Sequence, residues 1–392
     1  YEFFALLEDF LQEHKKGNPA YDQRIRLTGA LRIQPAWSNV EIAWDNVSAQ
    51  LTRLVQGLVQ LGNGLTELEQ YNIPDLDDLL QDLLARTHLL QEMLEQLNVI
   101  IADPPASAIT WAEISARDGR LSLHAAPLHV GALVERHLFL PKESVILTSA
   151  TLCTNGDFSY IRQRLNAWDA QELCVGSPFD YQSSTLLYLP IDIPEPNRPG
   201  YQEAIAQALI SLCRAIQGRT LVLFTSYSQL NNAAKAITIP LAEEGITVLQ
   251  QGDGSSRAHL LESFRTLDKA VLLGTRSFWE GIDIVGPALS CLVITRLPFS
   301  VPTDPIFAAR SEGFEDPFNE YSVPETILRF RQGFGRLIRS CTDRGVVVVL
   351  DKRVLTKSYG RAFLNSLPEC TVRRGSVADL PRAAVQWIDG GE

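Results

Sequence analysis

The sequence predicts an α/β protein: a doubly wound parallel sheet, preceded by an all-helical region. Over residues 1–106 apolar residues recur at helical spacing, whereas from Ser183 onward short apolar strands alternate with helices. Because these strands are almost continuously apolar, both faces of the sheet are expected to be covered by helices. The predicted strands are Thr185–Leu189, Thr220–Thr225, Thr247–Gln250, Ala270–Gly274, Cys291–Thr295 and Val346–Leu350.

The helical region contains two apolar runs. The first extends from Val47 to Leu68 and the second from Leu76 to Ile101, with apolar residues mostly three or four positions apart. This spacing places them on one face of a helix. A break at residues 72–74 separates the runs, so they are predicted to form two antiparallel helices of a small bundle that ends at residues 103–105.

The segment between the helices and the sheet is predicted to begin with a β-hairpin. Its strands are Trp111–Ala116 and Arg120–Ala125, joined at Asp118–Gly119, a typical hairpin turn. After a short helix, Ser144–Leu147 is predicted to form a further strand that ends at Thr148.

Composition and charge limit the class of protein. The chain has 392 residues, 45% hydrophobic and 21% charged, which is enough for two or three domains. It has no secretory signal pattern and no apolar run as long as a membrane span, so a soluble cytoplasmic protein is expected. Because the chain begins at Tyr1 and not at Met, it is expected to be a fragment of a longer protein.

The charge is unevenly distributed. The net charge is 35 − 46 = −11, which argues against a protein that coats nucleic acid over its whole surface. Residues 1–110 carry 7 basic and 16 acidic side chains (net −9), whereas residues 321–374 carry 11 basic and 4 acidic ones (net +7). A basic segment on an acidic chain predicts a specific anionic ligand.

The six cysteines do not have the spacing of a metal site. They lie at positions 153, 174, 213, 291, 341 and 370, without a CxxC pair. Zinc and iron–sulfur sites usually have closer ligand spacing, so most of these thiols are predicted to be buried and reduced, and no metal site is expected.

Two polar stretches follow predicted strands, where parallel sheets bind their ligands. In Thr148–Ser149–Ala150–Thr151, hydroxyls could relay hydrogen bonds between a phosphate and a neighbouring domain; the alternative is a capped strand end. In Leu221–Tyr227, hydroxyls precede a helix and could contact a nucleic-acid phosphate. Here the alternative is that Ser228 simply caps the helix.

Two further stretches combine glycine with arginine. Gly274–Gly286 has an arginine, two aromatic residues that are expected to be exposed, and the pair Glu280 and Asp283; it could hold phosphate and stack on bases. Arg331–Ser340 has arginines at 331, 336 and 339, with Arg336 and Arg339 predicted to lie on one side of a helix. Guanidinium groups suit a polyphosphate, although a solvated helix face would also contain arginines.

The sequence lacks the motifs that hold a nucleotide by themselves. It contains no GxxxxGK[ST] loop, no acidic box after an apolar strand and no GxGxxG. Arginines suited to a phosphate, without a loop that holds it, are typical of one half of a two-part ATPase, in which an arginine finger faces a nucleotide on another domain.

Taken in order, SVILTSATL, LVLFTSY, GTRSFWEGIDIVG and QGFGRLIRS resemble the later motifs of the DinG/XPD-like superfamily-two DNA helicases. Arg296–Arg310 and the stretch LSLHAAPLHVGALVERHLF resemble the DinG branch in particular. The resemblance implies a helical arch at 1–106, the closing segment of the first motor domain at 107–178 and a second RecA-like motor domain at 179–392.

The resemblance also implies roles for individual residues. Arg339 resembles the arginine finger, Arg336 a second phosphate contact, and Gln332 lies beside them. Six residues are implied to couple the bound nucleotide to the DNA side: Glu280, Gly281, Asp283, Thr148, Ser149 and Thr151. Contacts with single-stranded DNA fall to Ser226, Tyr227, Thr275, Arg276 and Trp279.

The ligands and partners implied are ATP with Mg²⁺, single-stranded DNA and a missing N-terminal motor domain. In the family that domain carries the phosphate loop, the acidic box and four cysteines for an iron–sulfur cluster. Those cysteines are absent from this chain. No membrane partner is expected, and the sequence does not determine an oligomeric state.

The resulting hypothesis is the C-terminal part of an ATP-dependent DNA helicase that moves 5′ to 3′, a polarity that comes only from the resemblance. This chain alone is expected to be inactive. Two alternatives stay open: a RecA-like module that binds DNA or a partner without hydrolysis, and an interaction protein that oligomerises through residues 1–106.

Overall fold

A computed structural model describes residues 2–15, 22–71, 73–153, 157–279, 284, 286 and 288–390. The contacts divide the chain into two compact units. The first consists of Tyr1–Ala132 with Val301–Gly313, and the second of Leu133–Ser300 with Phe314–Glu392. The division into residues 1–106, 107–178 and 179–392 rests on motif positions and stays a prediction.

The secondary structure of the described residues follows, in chain order. The strands are β1 Gln23–Arg26, β2 Ala108–Ile114, β3 Leu121–Pro127, β4 Thr185–Pro190, β5 Thr220–Leu223, β6 Thr247–Gln250, β7 Ala270–Gly274, β8 Cys291–Ile294, β9 Gly345–Val349 and β10 Thr371–Gly375. The α-helices are α1 Glu2–Glu13, α2 Gly29–Arg32, α3 Pro35–Thr66, α4 Leu76–Ile101, α5 Gly131–Val134, α6 Ser159–Leu165, α7 Tyr181–Ser184, α8 Tyr201–Ala215, α9 Tyr227–Ala242, α10 Arg257–Thr266, α11 Arg276–Trp279, α12 Pro305–Ser311, α13 Val323–Phe334, α14 Arg353–Thr356, α15 Gly360–Asn365 and α16 Leu380–Ile388. Short π-helical stretches occupy Glu135–Phe139 and Pro317–Ser322, and a 3₁₀ turn occupies Glu69–Tyr71.

The first unit contains the two antiparallel helices that the apolar spacing predicted. Trp44 on α3 donates from Nε1 to Asn98 Oδ1 on α4 (3.3 Å), whereas Gly62, further along α3, faces Leu83, nearer the start of α4. The helices therefore run in opposite directions. Helix α3 begins earlier than the leucine run suggested, at Pro35, because proline suits the first position of a helix.

The predicted hairpin is also present. Strands β2 and β3 pair antiparallel on either side of Asp118 and Gly119, and β1 adds to the other edge of β2. Helix α12, from the later segment of the unit, lies against this sheet through ion pairs from Arg24 to Asp304 (3.0 Å) and from Arg26 to Glu312 (2.5 Å).

The second unit has the predicted parallel sheet. Its seven strands lie in the order β10-β4-β9-β8-β5-β7-β6, all parallel to their neighbours. Helices α8, α9 and α16 pack on one face and α10, α13 and α15 on the other, each around its own apolar core. The doubly wound prediction is therefore confirmed. Strand β10 was missed because its residues are largely exposed and include two arginines, a pattern typical of an edge strand.

One predicted strand is wrong. Residues 144–147 form no strand, and Ile146 is 88% exposed. A strand needs a neighbour to satisfy its backbone groups, and no strand in the described part of the chain pairs with this segment. None of the described helices combines the length and apolar character that a membrane span requires.

Candidate functional site

The carboxyl ends of the seven strands meet at one edge of the sheet, because all the strands point the same way. Strand β5 is followed by Ser226 and Tyr227, β6 by Gln251, and β7 by Thr275 and Arg276. The structure therefore brings together the polar residues that the sequence placed after β5 and β7, and it adds one from β6.

Gln251 joins these three strand ends. Its Nε2 atom donates to Tyr227 Oη (2.6 Å) and to Ser277 Oγ (2.9 Å). Its Oε1 atom accepts from the backbone nitrogen (2.7 Å) and the hydroxyl (3.0 Å) of Thr275. Sequence reasoning missed Gln251; the available signal was its position directly after a predicted strand at the ligand-binding edge.

Of the two predicted DNA contacts after β5, Ser226 has a structural role and Tyr227 is exposed. Ser226 caps α9 by accepting a hydrogen bond from the backbone nitrogen of Gln229 (3.3 Å), so the cap is Ser226 and not Ser228. Tyr227 is 47% exposed, and its ring lies beside Gly252. The exposed side chains of Tyr227 and Arg276 are available to a ligand at this edge.

The expectation that Phe278 and Trp279 are exposed is wrong. Phe278 is fully buried and Trp279 is 4% exposed, so neither ring can stack on a base in this structure. The Trp279 indole donates to Phe224 O (3.2 Å) and packs on Gly333, where an added Cβ would lie 2.8 Å from the ring. These aromatic residues anchor α11 against the core and α13.

The arginines follow α13 and do not lie along it. The helix ends at Phe334 with Gly335 as its C-cap, so Arg336 and Arg339 are not on one helical face, contrary to the prediction. Glycines at 333 and 335 lower helix propensity, and Gly333 is required by the close approach of Trp279. Arg336 Nε donates to Trp279 O (3.1 Å), which connects this segment to α11.

Asp343 holds the turn that carries Arg339. Its Oδ2 atom accepts from the backbone nitrogens of Arg339 and Ser340 (both 2.8 Å), and its Oδ1 atom accepts from Ser340 Oγ (2.8 Å). Burial alone would raise the pKa of Asp343, but these hydrogen bonds outweigh it and lower the pKa below its usual value. The anionic carboxylate thus fixes the backbone at Arg339.

Arg331 contacts the segment that contains Thr148, Ser149 and Thr151. Its guanidinium donates to Ala150 O (3.3 Å) and to Cys153 O, whereas Gln332 is half-buried on α13. The Ser149 and Thr151 hydroxyls lie 3.2 Å apart, and Thr148 and Ser149 are exposed. Sequence analysis included Arg331 among the arginines of this stretch but predicted no individual role for it.

Three predicted site residues, Glu280, Gly281 and Asp283, lie outside the described residues.

A second polar cluster lies at the ends of β8 and β9. Asp351 is fully buried and accepts from Leu297 N (2.9 Å) and from Arg353 Nη2 (2.6 Å). Burial, reinforced by the nearby Asp351 carboxylate, raises the pKa of Tyr201, whose hydroxyl donates to Thr295 O. This cluster holds the strand ends in place and was not predicted.

The prediction that most of the six cysteines are buried is wrong: two are buried, and the other four are exposed or half-buried. The cysteines also do not fit an iron–sulfur cluster. Such a cluster needs four thiolates together, but Cys213 and Cys291 are buried in the sheet core and only Cys153 and Cys174 are recorded in sulfur–sulfur contact. Burial raises the pKa of Cys213 to about 12. No group of three potential metal ligands occurs among the described histidine, cysteine, aspartate and glutamate side chains.

The arginines after α13 fit one side of a nucleotide-binding cleft. Arg336 and Arg339 are half-exposed, which leaves them accessible to a phosphate. The Arg336 side chain is held by Trp279 O, and the backbone at Arg339 is held by Asp343. The sequence has no loop of its own to surround that phosphate or to hold Mg²⁺.

Comparison with known proteins indicates the family that the chain resembles. Residues 209–370 match the helicase C-terminal domain family. The chain is 35% identical over 303 residues to the 3′-5′ exonuclease DinG of Bacillus subtilis (74% of this chain, 32% of that protein). It is 35% identical over 319 residues to the ATP-dependent DNA helicase YoaA of Haemophilus influenzae (79% of this chain, 49% of that protein). The chain thus spans about a third to a half of these relatives.

The fold also has a solved counterpart. An apo structure of XPD superposes with a TM-score of 0.55 at 17% identity, over 96% of this chain and 70% of the other. Together these matches confirm the resemblance to the C-terminal portion of DinG/XPD-like helicases, and they confirm the RecA-like α/β class.

Proposed function

We propose that this chain, which has the sequence and fold of the C-terminal portion of a DinG/XPD-like superfamily-two helicase, supplies the second half of an ATP-dependent DNA motor. In the complete protein, ATP hydrolysis would drive movement along single-stranded DNA and the unwinding of duplex. The YoaA relative is named an ATP-dependent DNA helicase, which supports this function for the complete protein.

One observation carries the proposal: the arginine turn is hydrogen-bonded to α11, at the carboxyl edge of the sheet. Arg336 donates to the carbonyl of Trp279, at the end of the helix that begins at Arg276. A movement of the turn towards a phosphate would therefore be transmitted to Arg276 and, through Ser277 and Gln251, to Tyr227. These contacts support a coupling between bound nucleotide and the proposed DNA contacts.

The proposed roles follow from this arrangement. Arg339 stabilises the charge that develops on the γ-phosphate, with Arg336 as a second contact and Gln332 beside them. Tyr227 and Arg276 contact the DNA, with Ser226 presenting the helix end. Thr275, which was predicted to contact DNA, is only 5% exposed and bonded to Gln251, so it and the buried Trp279 support these residues from below. Thr148, Ser149 and Thr151, with Glu280, Gly281 and Asp283, couple nucleotide to DNA.

The nucleotide itself is expected on a preceding motor domain. That domain would hold ATP and Mg²⁺ through a phosphate loop and an acidic box, since this chain has neither. Arg336 and Arg339 would contact the phosphates of that nucleotide from this side of the cleft and so favour closure of the two motor halves when ATP is bound. The proposed direction, 5′ to 3′, comes from the family resemblance.

A second candidate is a RecA-like module that binds DNA or a partner without hydrolysing ATP. It is favoured by the missing phosphate loop and by the Bacillus subtilis relative, which is named an exonuclease. The two candidates differ in whether the complete protein turns over ATP in the presence of DNA.

The test measures ATP hydrolysis and duplex unwinding by the complete protein that contains this chain. The motor proposal expects hydrolysis stimulated by single-stranded DNA, and unwinding of a duplex with a 5′ tail but not of one with a 3′ tail. DNA binding without stimulated hydrolysis would establish the binding module and overturn the motor. Unwinding from a 3′ tail alone would overturn the proposed direction.

A further inference from the structure

Two cysteines that are 21 positions apart in the sequence meet in the fold. The sulfur atoms of Cys153 and Cys174 lie 3.4 Å apart; Cys174 is exposed and Cys153 is half-buried. The other accessible thiols, Cys341 and Cys370, have no recorded sulfur neighbour among the described residues, and Cys213 and Cys291 are buried. This pair therefore combines proximity with access to solvent.

The surroundings allow the two sulfurs to come closer. A disulfide requires about 2.05 Å between them, so the pair must close by a little over an ångström. Residues 171–177 have no regular secondary structure, and Leu173 and Val175, on either side of Cys174, are 81% and 75% exposed. Little packing opposes a shift of an exposed irregular segment.

We propose that Cys153 and Cys174 are an oxidation site, and that a peroxide or a low-molecular-weight disulfide converts them reversibly into an intramolecular disulfide. With hydrogen peroxide, one thiolate is oxidised to a sulfenic acid and releases hydroxide. The second thiol then displaces the sulfenic oxygen, so that the S–S bond forms and water leaves. The net change oxidises two thiols and reduces the peroxide to two waters. With oxidised glutathione, one thiolate attacks the disulfide and releases one glutathione thiol; the second cysteine then attacks the mixed disulfide, so that the S–S bond forms and the second glutathione thiol leaves.

The contact between the sulfurs raises the pKa of Cys174, and nearby Arg331 opposes this only in part. The same contact places each sulfur within reach of a sulfenic acid formed on the other, so whichever thiol is oxidised first is resolved by its neighbour.

The disulfide is expected to affect ATP turnover, an expectation that rests on the proposed function. The carbonyl of Cys153 accepts a hydrogen bond from Arg331 on α13, and Cys153 directly follows the segment with Thr148, Ser149 and Thr151. A disulfide would tether this segment to residues 174–177 and restrict its response to nucleotide. DNA-stimulated ATP turnover of the complete protein should fall on oxidation and recover with dithiothreitol.

The site is tested on the 392-residue chain by peptide mapping. The folded chain is treated with hydrogen peroxide or with oxidised glutathione, remaining thiols are alkylated, and the peptides are identified by mass. A linked peptide pair containing Cys153 and Cys174, abolished by dithiothreitol, is the expected result. The matched control, Cys341→Ser, removes an exposed thiol outside the pair and should leave this link unchanged.

Two results would overturn the inference: sulfinic acid or glutathione adducts on both cysteines without a link, or links that join either one to another cysteine. In Cys174→Ser the linked peptide pair should be absent and Cys153 should persist as a sulfenic acid or a glutathione adduct, because no neighbouring thiol is left to displace that group; a Cys153 that stays unmodified in this variant and in the wild type would contradict the oxidation site. Because the mapping does not depend on ATP turnover, the disulfide can stand even if the motor proposal fails.

Discussion

Gln251 is the residue on which the arrangement of the strand ends depends most directly. Its amide makes hydrogen bonds with Tyr227, Thr275 and Ser277, which lie after β5 and β7. Each such bond contributes on the order of 1 kcal/mol, and less where solvent competes. Tyr227 and Arg276 therefore owe much of their relative position to one side chain.

Gln251→Ala should weaken binding of single-stranded DNA by the complete protein about three- to tenfold, because it releases both sides of the proposed DNA contact. Fluorescence anisotropy with a labelled oligonucleotide measures the change. The matched control is Gln250→Ala, whose side chain bonds instead to Asn231. Equal affinities for the two variants would contradict this role for Gln251.

Asp343 holds the Arg339 turn as an anion, so its contribution depends on pH. The pKa of Asp343 is lowered in the folded chain, and hence its stabilisation is complete above the unfolded value of about 4 and is lost as the pH falls through the folded pKa. Because the carboxylate is only half-buried and solvent screens its interactions, we expect only about 1 kcal/mol at neutral pH.

Asp343→Ala should therefore lower the free energy of unfolding at pH 7, and the difference from wild type should shrink below about pH 4. Urea unfolding across this pH range measures it. Asp268→Ala removes an exposed carboxylate that caps no turn and serves as the control. A difference that grows as the pH falls would refute the assignment.

Residue types at strand ends were predictable from the sequence, but side-chain exposure was not. The serine and tyrosine after β5 and the threonine and arginine after β7 were predicted because they follow apolar strands. Trp279 was predicted to be exposed but is buried, because its burial depends on a residue that is distant in the sequence. That residue is Gly333, on which the indole packs. Gln251 was missed because its partners are 24 to 26 positions away in the chain.

At the scale of elements, the close packing of α13 on α11 fixes the start of the arginine turn. Gly333 permits it, because any side chain there would meet the Trp279 ring, with Cβ at 2.8 Å. A larger residue must displace either the indole, whose nitrogen is bonded to Phe224 O, or the helix itself.

Gly333→Ala should destabilise the protein by about 1–3 kcal/mol, although alanine is the better helix former, because overpacking outweighs propensity. The matched control is Gly57→Ala in α3, where an added Cβ meets nothing within 4 Å and the free energy of unfolding should rise by up to about 1 kcal/mol. Thermal unfolding distinguishes the two. A stabilised Gly333→Ala would show that the contact with Trp279 is not tight.

Elements with a strong apolar pattern were predicted well, and those that depend on partners were not. Strands β6 and β7 have the predicted bounds, since their hydrophobic residues must lie between covering helices. The arginine segment was extended as a helix past Phe334 because spacing alone does not reveal that Gly335 ends it. Residues 144–147 have strand-like composition without a neighbouring strand.

At the scale of the whole molecule, the order of motifs predicted more than the pattern of elements did. The order of motifs predicted that the parallel sheet is RecA-like and that the arginines contact an ATP phosphate. It did not indicate that residues 301–313 group with the first unit, because that grouping depends on contacts of α12 with β1 and β2 and on the ion pairs that join Arg24 and Arg26 to residues 280 and 286 positions away.

The central claim is that the arginine turn after α13 acts on an ATP phosphate held by a preceding motor domain. The most direct measurement compares DNA-stimulated ATP turnover of the complete protein with that of Arg339→Ala. An arginine finger contributes about three to five orders of magnitude in rate. The control, Arg361→Ala, removes an exposed arginine on α15, outside the turn.

We expect Arg339→Ala to lose about a thousandfold or more in turnover while retaining the wild-type unfolding transition and DNA affinity, and Arg361→Ala to behave as wild type. Wild-type turnover by a folded Arg339→Ala protein would contradict the account, because no phosphate would then depend on this turn.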